Sequence, residues 1–560
     1  MTLRRTLVAL IVLAVSLGLG TLLWHVLAPG GWTLPKLLML AAFAGTAPWT
    51  GLCVANALIG FLLLTLAHDP VRAVFPQPPP SSGALPATAL VVTVRSEDMR
   101  LVLPPLARLL RELGAAGAGD AFTLWILSDT LDPAAAAVEQ QAIAAFPHPV
   151  RYRRRTTNAG FKAGNVMDFL DHHAAGYELM VTLDADSEMS AAAVLRLVRA
   201  LAADPALAIA QHLTVGLPAS AAFPRLFQFG MRAGMRTWAL GQAWWQGDEG
   251  PYWGHNAAVR IAPFRTHCRL PLLPGGQHIL SHDQVEAALL RAAGWGVRVL
   301  PCEDGSAERN PPALPDFLRR ELRWLRGNMQ YLHLLRLSLR PMGRWQLLQA
   351  VLLFSGAPLY LLFLLAAAAA AATDAASPFP ARAALSLTLA WLAALYAPKL
   401  LGYLAVALSP GERARYGGGV RFAAGAAAEF CFTLLLDAIS MVAKTQAMLH
   451  LDGVAWTAQN RHDRSVGWRE AARLYWPQTA LGVLVFACFA QAGWLACLWA
   501  APLAGGLLLA IPFSVLTADP RLGRSMRRLR FIAAPEEFAS STLLPPSPAP
   551  SEVSAPAGAD

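Results

Sequence analysis

Apolar positions along this chain follow two patterns. Residues 7–27 and 37–67 run almost without a charge, as do 346–372, 384–397 with its continuation to 408, 478–499 and 501–517. Each stretch is near or above the ~20 residues that carry a helix across a bilayer. Between about 89 and 340 the pattern changes to short apolar runs that alternate with charged, amphipathic segments. "ALVVTV" (89–94), "FTLWIL" (122–127) and "ELMVTL" (178–183) read as buried strands, and 100–113 and 160–173 as helices between them. Strands alternating with helices predict a mostly parallel sheet. The expected fold class is therefore an α/β domain inserted between α-helical transmembrane segments.

The boundaries follow from the same pattern. Two helices fill 1–68, a Pro-rich linker 69–88, the α/β insert 89–344, a second membrane region 345–518, and a basic juxtamembrane segment with a Pro/Ser/Ala-rich tail 519–560. The first apolar run is too long for a signal-peptide core and lacks a clear cleavage site, so it reads as a retained span. Residues 37–67 are long for one helix and short for two, with Pro48 a natural bend. Arg4 and Arg5, the arginines at 319–344 and the segment "RLGRSMRRLR" (521–530) all belong on the cytoplasmic side. That places the insert and both termini in the cytoplasm and requires an even number of spans, six or eight. The stretch 422–448 is expected to lie in the interface, because Glu429, Asp437 and Lys444 are costly at bilayer depth.

The formal charge of +10 adds little beyond this. The arginines cluster beside membrane spans, where they face anionic lipid, and no basic stripe interleaved with aromatics points to nucleic acid. The six cysteines are scattered without metal spacing and read as small apolar residues of a reducing compartment.

The candidate chemistry lies where the strands end. The three runs lead into Ser96, Glu97 and Asp98, into Ser128 and Asp129, and into Asp184 and Asp186 of "VTLDADSEMS". Ligands of parallel sheets bind beyond the carboxyl ends of the strands. Carboxylates without His or Cys partners suit Mg²⁺ or Mn²⁺ shared with substrate phosphates, which implies a nucleoside diphosphate leaving group. Lys162, between Gly160 and Gly164, is placed to add positive charge there or to be a solvated lysine at a helix start. Asp283 opens an amphipathic helix, where it is either a first-turn residue favoured by the helix dipole or a general base. Arg320, Arg323 and Trp324 form either a basic interfacial helix or a diphosphate and sugar contact. The absence of P-loop and dinucleotide fingerprints argues against an ATPase or a dinucleotide enzyme.

Taken in order, these motifs resemble the processive family-2 glycosyltransferases of the GT-A fold. More closely, "RYRRRTTNAGFKAGNVMDF" (151–169), "YWGHNAAVRIAPF" (252–264), "ILSHDQVEAALLRAAGWGV" (279–297), "LRRELRWLRGN" (318–328), "PKLL" (398–401) and "PEEF" (535–538) resemble the glucans biosynthesis glucosyltransferase H family. The resemblance implies a multi-pass enzyme of the bacterial inner membrane. Such an enzyme builds the β-1,2-linked backbone of osmoregulated periplasmic glucans from UDP-glucose and exports it. By position, Glu97 and Asp129 would contact the uridine, Lys162 and Asp184 would support the nucleotide, and Asp186 would bind the metal. Asp283 would be the base, and Arg320, Arg323 and Trp324 would hold the diphosphate and the acceptor end. Trp253, Gly254, His255 and Asn256 would line the acceptor site. "VRSED" (94–98) departs from the Cys-Asn or Tyr-Asn that precedes the acid in relatives, and "WTAQNR" (456–461) resembles a gating loop. Acyl carrier protein and periplasmic glucan-processing proteins are the partners the family implies. The alternatives are a synthase of another polysaccharide, or a membrane transporter or scaffold with a nucleotide-sensing domain.

Overall fold

The structure, a computed structural model, describes residues 1–76, 84–373, 380–450 and 462–538. The 456–461 segment expected as a gating loop, and the tail beyond 538, lie outside these residues.

A seven-stranded sheet forms the centre of the insert. Its strands are β1 (Thr88–Val94), β2 (Phe122–Ser128), β3 (Val150–Arg154), β4 (Leu179–Asp184), β6 (Leu207–His212), β8 (Ala257–Arg260) and β9 (Gly296–Leu300). They lie in the order β3-β2-β1-β4-β8-β6-β9, and only β8 runs antiparallel, between β4 and β6. A small second sheet joins β5 (Glu188–Met189), β10 (Ser306–Glu308) and β7 (Val215–Gly216). Period-two alternation decides what each strand packs against. In β1, Leu90, Val92 and Val94 join one core with helices Met99–Ala115 and Ala191–Ala203. Ala89 and Val91 join a second core with Phe161–His172 and Asp283–Ala292. Both faces are covered, which is why the strand read as a continuous apolar run.

Among the described residues, four helices are long and apolar enough to cross a membrane: Thr2–Leu27, Leu34–Leu66, Pro341–Thr373 and Gly419–Met448. The count reaches six if each of two bent pairs is one span: Ala381–Leu395 with Ala397–Leu408, bent by 76°, and Trp494–Leu508 with Ala510–Thr517, bent by 60°. Residues 37–67 are one helix that runs through Pro48. The stretch 422–448, expected in the interface, lies within one uninterrupted 30-residue helix, Gly419–Met448, that is long and apolar enough to cross a membrane. Its buried Glu429 accepts from Lys399 at 2.5 Å, from Thr433 at 2.6 Å and from Tyr403, and Lys399 also donates to Thr433 at 2.6 Å. The expected span 478–499 is divided instead between Trp468–Gln491 and the helix that starts at Trp494. Of the cysteines, Cys53 and Cys268 are buried, whereas Cys431 faces outward from its helix.

The first span ends against the insert, where Arg4 donates to the Trp244 carbonyl at 2.9 Å and Arg5 pairs with Glu249 at 2.9 Å. The chain start and the α/β domain therefore share one side of the helical region. A long helix, Ala222–Gln246, joins the two parts.

Candidate functional site

The strand-end acids separate into structural and site groups. Asp98 caps the Met99–Ala115 helix through the Arg100 N–H at 3.0 Å, and the same arginine holds its carboxyl below the usual range. Glu97 sits beside it, half-buried, in a loop that Ser96 enters at φ 54° with its N–H on Thr130 Oγ1. Asp129 is buried and gripped by Arg155, with two charge-assisted bonds of 2.8 and 2.7 Å. Glu188, the third acid of the DADSE stretch, pairs with Arg108 at 2.7 Å behind the site.

Asp184 ends β4, and a tight turn closed by Ser187 carries the chain on past Asp186. Its carboxylate pairs with Lys162, which arrives from the first turn of Phe161–His172. Gly160 precedes that turn at φ 69°, a conformation open to glycine without strain. The ammonium of Lys162 also donates to the Gly254 carbonyl at 2.9 Å. Gly254, at φ 82°, is the point where the site converges: a methyl group placed on it would lie 3.6 Å from Lys162 Nζ and 3.8 Å from Asp283 Oδ2. Three residues far apart in sequence, Lys162, Asp184 and Asp283, thus meet around one bare backbone position.

The surrounding loop is fixed from beneath. Gln211 at the end of β6 accepts the Trp253 N–H at 2.9 Å and donates to the His255 carbonyl at 3.0 Å. Asn256, at φ 50°, donates to Ser306 Oγ at 2.9 Å. Asp283 is the first residue of its helix, with His282 at the cap position. Burial raises the Asp283 carboxyl above its ordinary range, Glu286 adds to the shift, and His282 and Lys162 oppose it. Burial disfavours the charged form of His282, but Glu286, 2.9 Å away, and Asp283 outweigh it and hold the imidazole above its usual pKa.

Arg320 and Trp324 share the helix Leu314–Met329, with the guanidinium stacked 4.6 Å from the centre of the indole and also over Phe227 and Phe317. Trp324 is 41% exposed, and Arg323 on the same helix is half-buried. Gly327 lets this helix rest directly on Ser281, two residues before Asp283.

Glu308, on β10, was not among the residues singled out from the sequence. Burial and the charges of Asp186 and Asp184 push its carboxyl above the ordinary range, against His255 and Arg320. His255 Nε2 stands 3.6 Å from it. Glu308 thereby ties the metal-candidate acids to the WGHN loop and to Arg320. The structure thus joins Lys162, Asp184, Gly254 and Asp283 by contact, and Asp186, His255 and Arg320 by charge through Glu308. Glu97 and Asp129 stand at the ends of the neighbouring strands β1 and β2.

Comparison with known proteins decides the lineage. The pattern of glycosyl transferase family group 2 matches residues 179–405. The glucans biosynthesis glucosyltransferase H of Rhodopseudomonas palustris (strain BisA53) is 34% identical over 95% of this chain and 78% of its own length. This chain belongs to the glucans biosynthesis glucosyltransferase H family. It is a glycosyltransferase. The Xylella fastidiosa (strain 9a5c) member is 31% identical over 95% of this chain and 88% of its own length. Among solved structures, a mannosyltransferase of Pyrobaculum calidifontis in complex with GDP-Man and Mn²⁺ aligns over 66% of this chain and 98% of its own, with a TM-score of 0.44 and 17% identity.

Proposed function

We propose that this glucosyltransferase takes glucose from UDP-glucose, with inversion, and extends a β-1,2-linked glucan that leaves through its membrane helices. The insert and both termini would face the cytoplasm of a bacterial inner membrane. The observation that carries the reading is the meeting of Lys162, Asp184 and Asp283 around the Gly254 backbone. It brings together a lysine ammonium, a strand-end acid and a carboxylate with a raised pKa, the groups that the proposed roles need.

In this reading Asp129 and Glu97 hold the uridine, and Lys162 and Asp184 position the nucleotide. The acceptor end rests against Trp324 and the Trp253–Asn256 loop. Asp283 removes the proton of the acceptor hydroxyl, whose oxygen bonds to the anomeric carbon as the bond to UDP breaks. UDP departs with the bonding electron pair, and Arg320 and Arg323 meet its charge.

The donor set fits Mg²⁺ or Mn²⁺ at Asp186. The nearby groups are carboxylates, and the charges of Asp186 and Asp184 add to burial in raising Glu308. Among the described residues no three His, Cys, Asp or Glu side chains stand close enough to cage an ion by themselves. An ion completed by substrate oxygens suits that arrangement. When bound, it supplies charge neutralisation for the departing diphosphate. Acyl carrier protein and periplasmic glucan-processing proteins remain part of the proposal as partners, on the family's account alone.

The test is incorporation of radiolabelled glucose from UDP-glucose by purified protein in lipid, with Mg²⁺ or with EDTA, followed by linkage analysis. A metal-dependent β-1,2 polymer supports the reading. A polymer of another linkage keeps the mechanism and removes the product. Nucleotide binding without transfer overturns the enzymatic reading.

A further inference from the structure

The "PEEF" segment near the end of the described chain has no place in the chemistry above, yet it is held more firmly than an ordinary terminus. Glu537 pairs with Arg225 at 2.9 Å, and Arg225 is completely buried. Arg225 also donates to the Phe531 carbonyl at 3.2 Å. Glu536 pairs with Arg232 at 2.7 Å, and that arginine, 4% exposed, reaches Glu303 on its other side at 3.3 Å. Phe538 lies between Arg421 and Arg530, with the guanidinium carbons 5.6 and 5.5 Å from its ring centre. Ile532 is buried at φ 53°, a conformation that costs a β-branched residue enough to persist only where its surroundings impose it.

Both arginines sit on Ala222–Gln246, the helix that also presents Phe227 beneath Arg320. Glu303 belongs to the short connection between β9 and β10, five residues before Glu308. One arginine therefore links the terminal segment to the loop that delivers Glu308 to the site. The same helix carries that segment's position to Arg320.

We propose that residues 531–538 are a positioning strap for the reaction. Glu536, acting through Arg232 and Glu303, sets the β9–β10 connection and hence Glu308. Glu537, acting through Arg225, fixes the register of Ala222–Gln246 beneath Arg320. Neither glutamate touches substrate. This inference rests on the proposed reading for its kinetic readout, but its structural readout is independent of it.

The experiment uses the full chain in lipid nanodiscs with Glu536→Gln, Glu537→Gln, the double variant and Glu536→Asp. Hydrogen exchange of residues 301–308 and 222–246 is measured beside glucose transfer from UDP-glucose. The double variant is expected to exchange at least tenfold faster over 301–308. Its KM for UDP-glucose should rise about fivefold or more, with kcat changed less, and Glu536→Asp should recover most of both. Glu536→Gln placed on Arg232→Gln should add little to the loss from Arg232→Gln alone, as expected of residues acting in one chain of contacts.

Unchanged exchange over 301–308 in the double variant overturns the strap. So does faster exchange with an unaltered KM, which would make the segment a structural plug only. If the wild-type protein transfers no glucose, the proposed function falls. The strap is then judged by the exchange and by UDP binding, which must weaken in the double variant for it to stand.

Discussion

A carboxylate that accepts a proton during catalysis works best when its affinity for that proton is raised toward the working pH. Burial does this at Asp283, and the neighbouring His282 cation restrains it. Because the deprotonated form is the base, transfer is expected to fall as pH drops through this raised pKa. His282→Gln removes the restraining charge, so the acid limb of the kcat/KM profile should move to higher pH; a shift to lower pH would remove Asp283 from the role. Asp283→Asn should lose about 10²–10⁴-fold in kcat while UDP binding is kept, as read by transfer assays and equilibrium binding. Asp129, Asp184, Asp186 and Asp283 were legible in the sequence because each follows an apolar strand or opens a helix with clear periodicity. Glu308 was not, because β10 is a three-residue strand that, among the described residues, pairs with the short β5 and β7. No alternation can establish itself over that length.

Contacts between elements depend on positions where a side chain is missing. Gly327 brings the Arg320–Trp324 helix onto Ser281, and an added methyl would collide with the Ser281 hydroxyl. Gly327→Ala is therefore expected to push that helix off the Asp283 loop and cut transfer by an order of magnitude or more. Ser281→Ala in the same chain removes only the hydroxyl, and the Cβ and backbone N of residue 281 would still lie 2.8 and 3.0 Å from the added methyl, so most of the loss should remain. Full transfer activity in Gly327→Ala would show that the contact does not set the site. The sequence showed a helix around Arg320, Arg323 and Trp324, since these residues fall within about one and a half helical turns. It did not mark Ala222–Gln246, whose glycines at 230, 234 and 241 face other elements at close range and whose polar Arg225 and Gln246 are wholly buried. The helical period is present in this segment; what hides it is that Arg225, Gln228 and Arg232 stand among its buried positions, where the eye expects apolar residues.

At the scale of the whole molecule, the question is how a water-facing domain stays in register with helices in lipid. Ala222–Gln246 lies at this junction: Gly230 packs on Glu429 and Gly234 on Lys399, so the polar cluster of the "PKLL" segment and Gly419–Met448 rests directly on the domain's long helix. The charges that argued from sequence for an interfacial 422–448 were counted singly, whereas in the fold Glu429 is met by Lys399, Tyr403 and Thr433. Removing one partner of a buried pair leaves the other uncompensated, at a cost of about 3–5 kcal/mol. Lys399→Met should therefore lower the thermal midpoint in detergent and loosen the domain's docking, read as faster exchange in 222–246. Adding Glu429→Gln to that chain removes the stranded charge while Tyr403 and Thr433 keep hydrogen-bond partners, and should recover much of the midpoint. If Lys399→Met leaves the midpoint unchanged, the cluster is not what fastens the catalytic domain to its membrane helices. Recovery of the midpoint without recovery of glucose transfer would mean that the charge pair itself, beyond the stability it confers, holds the site in register.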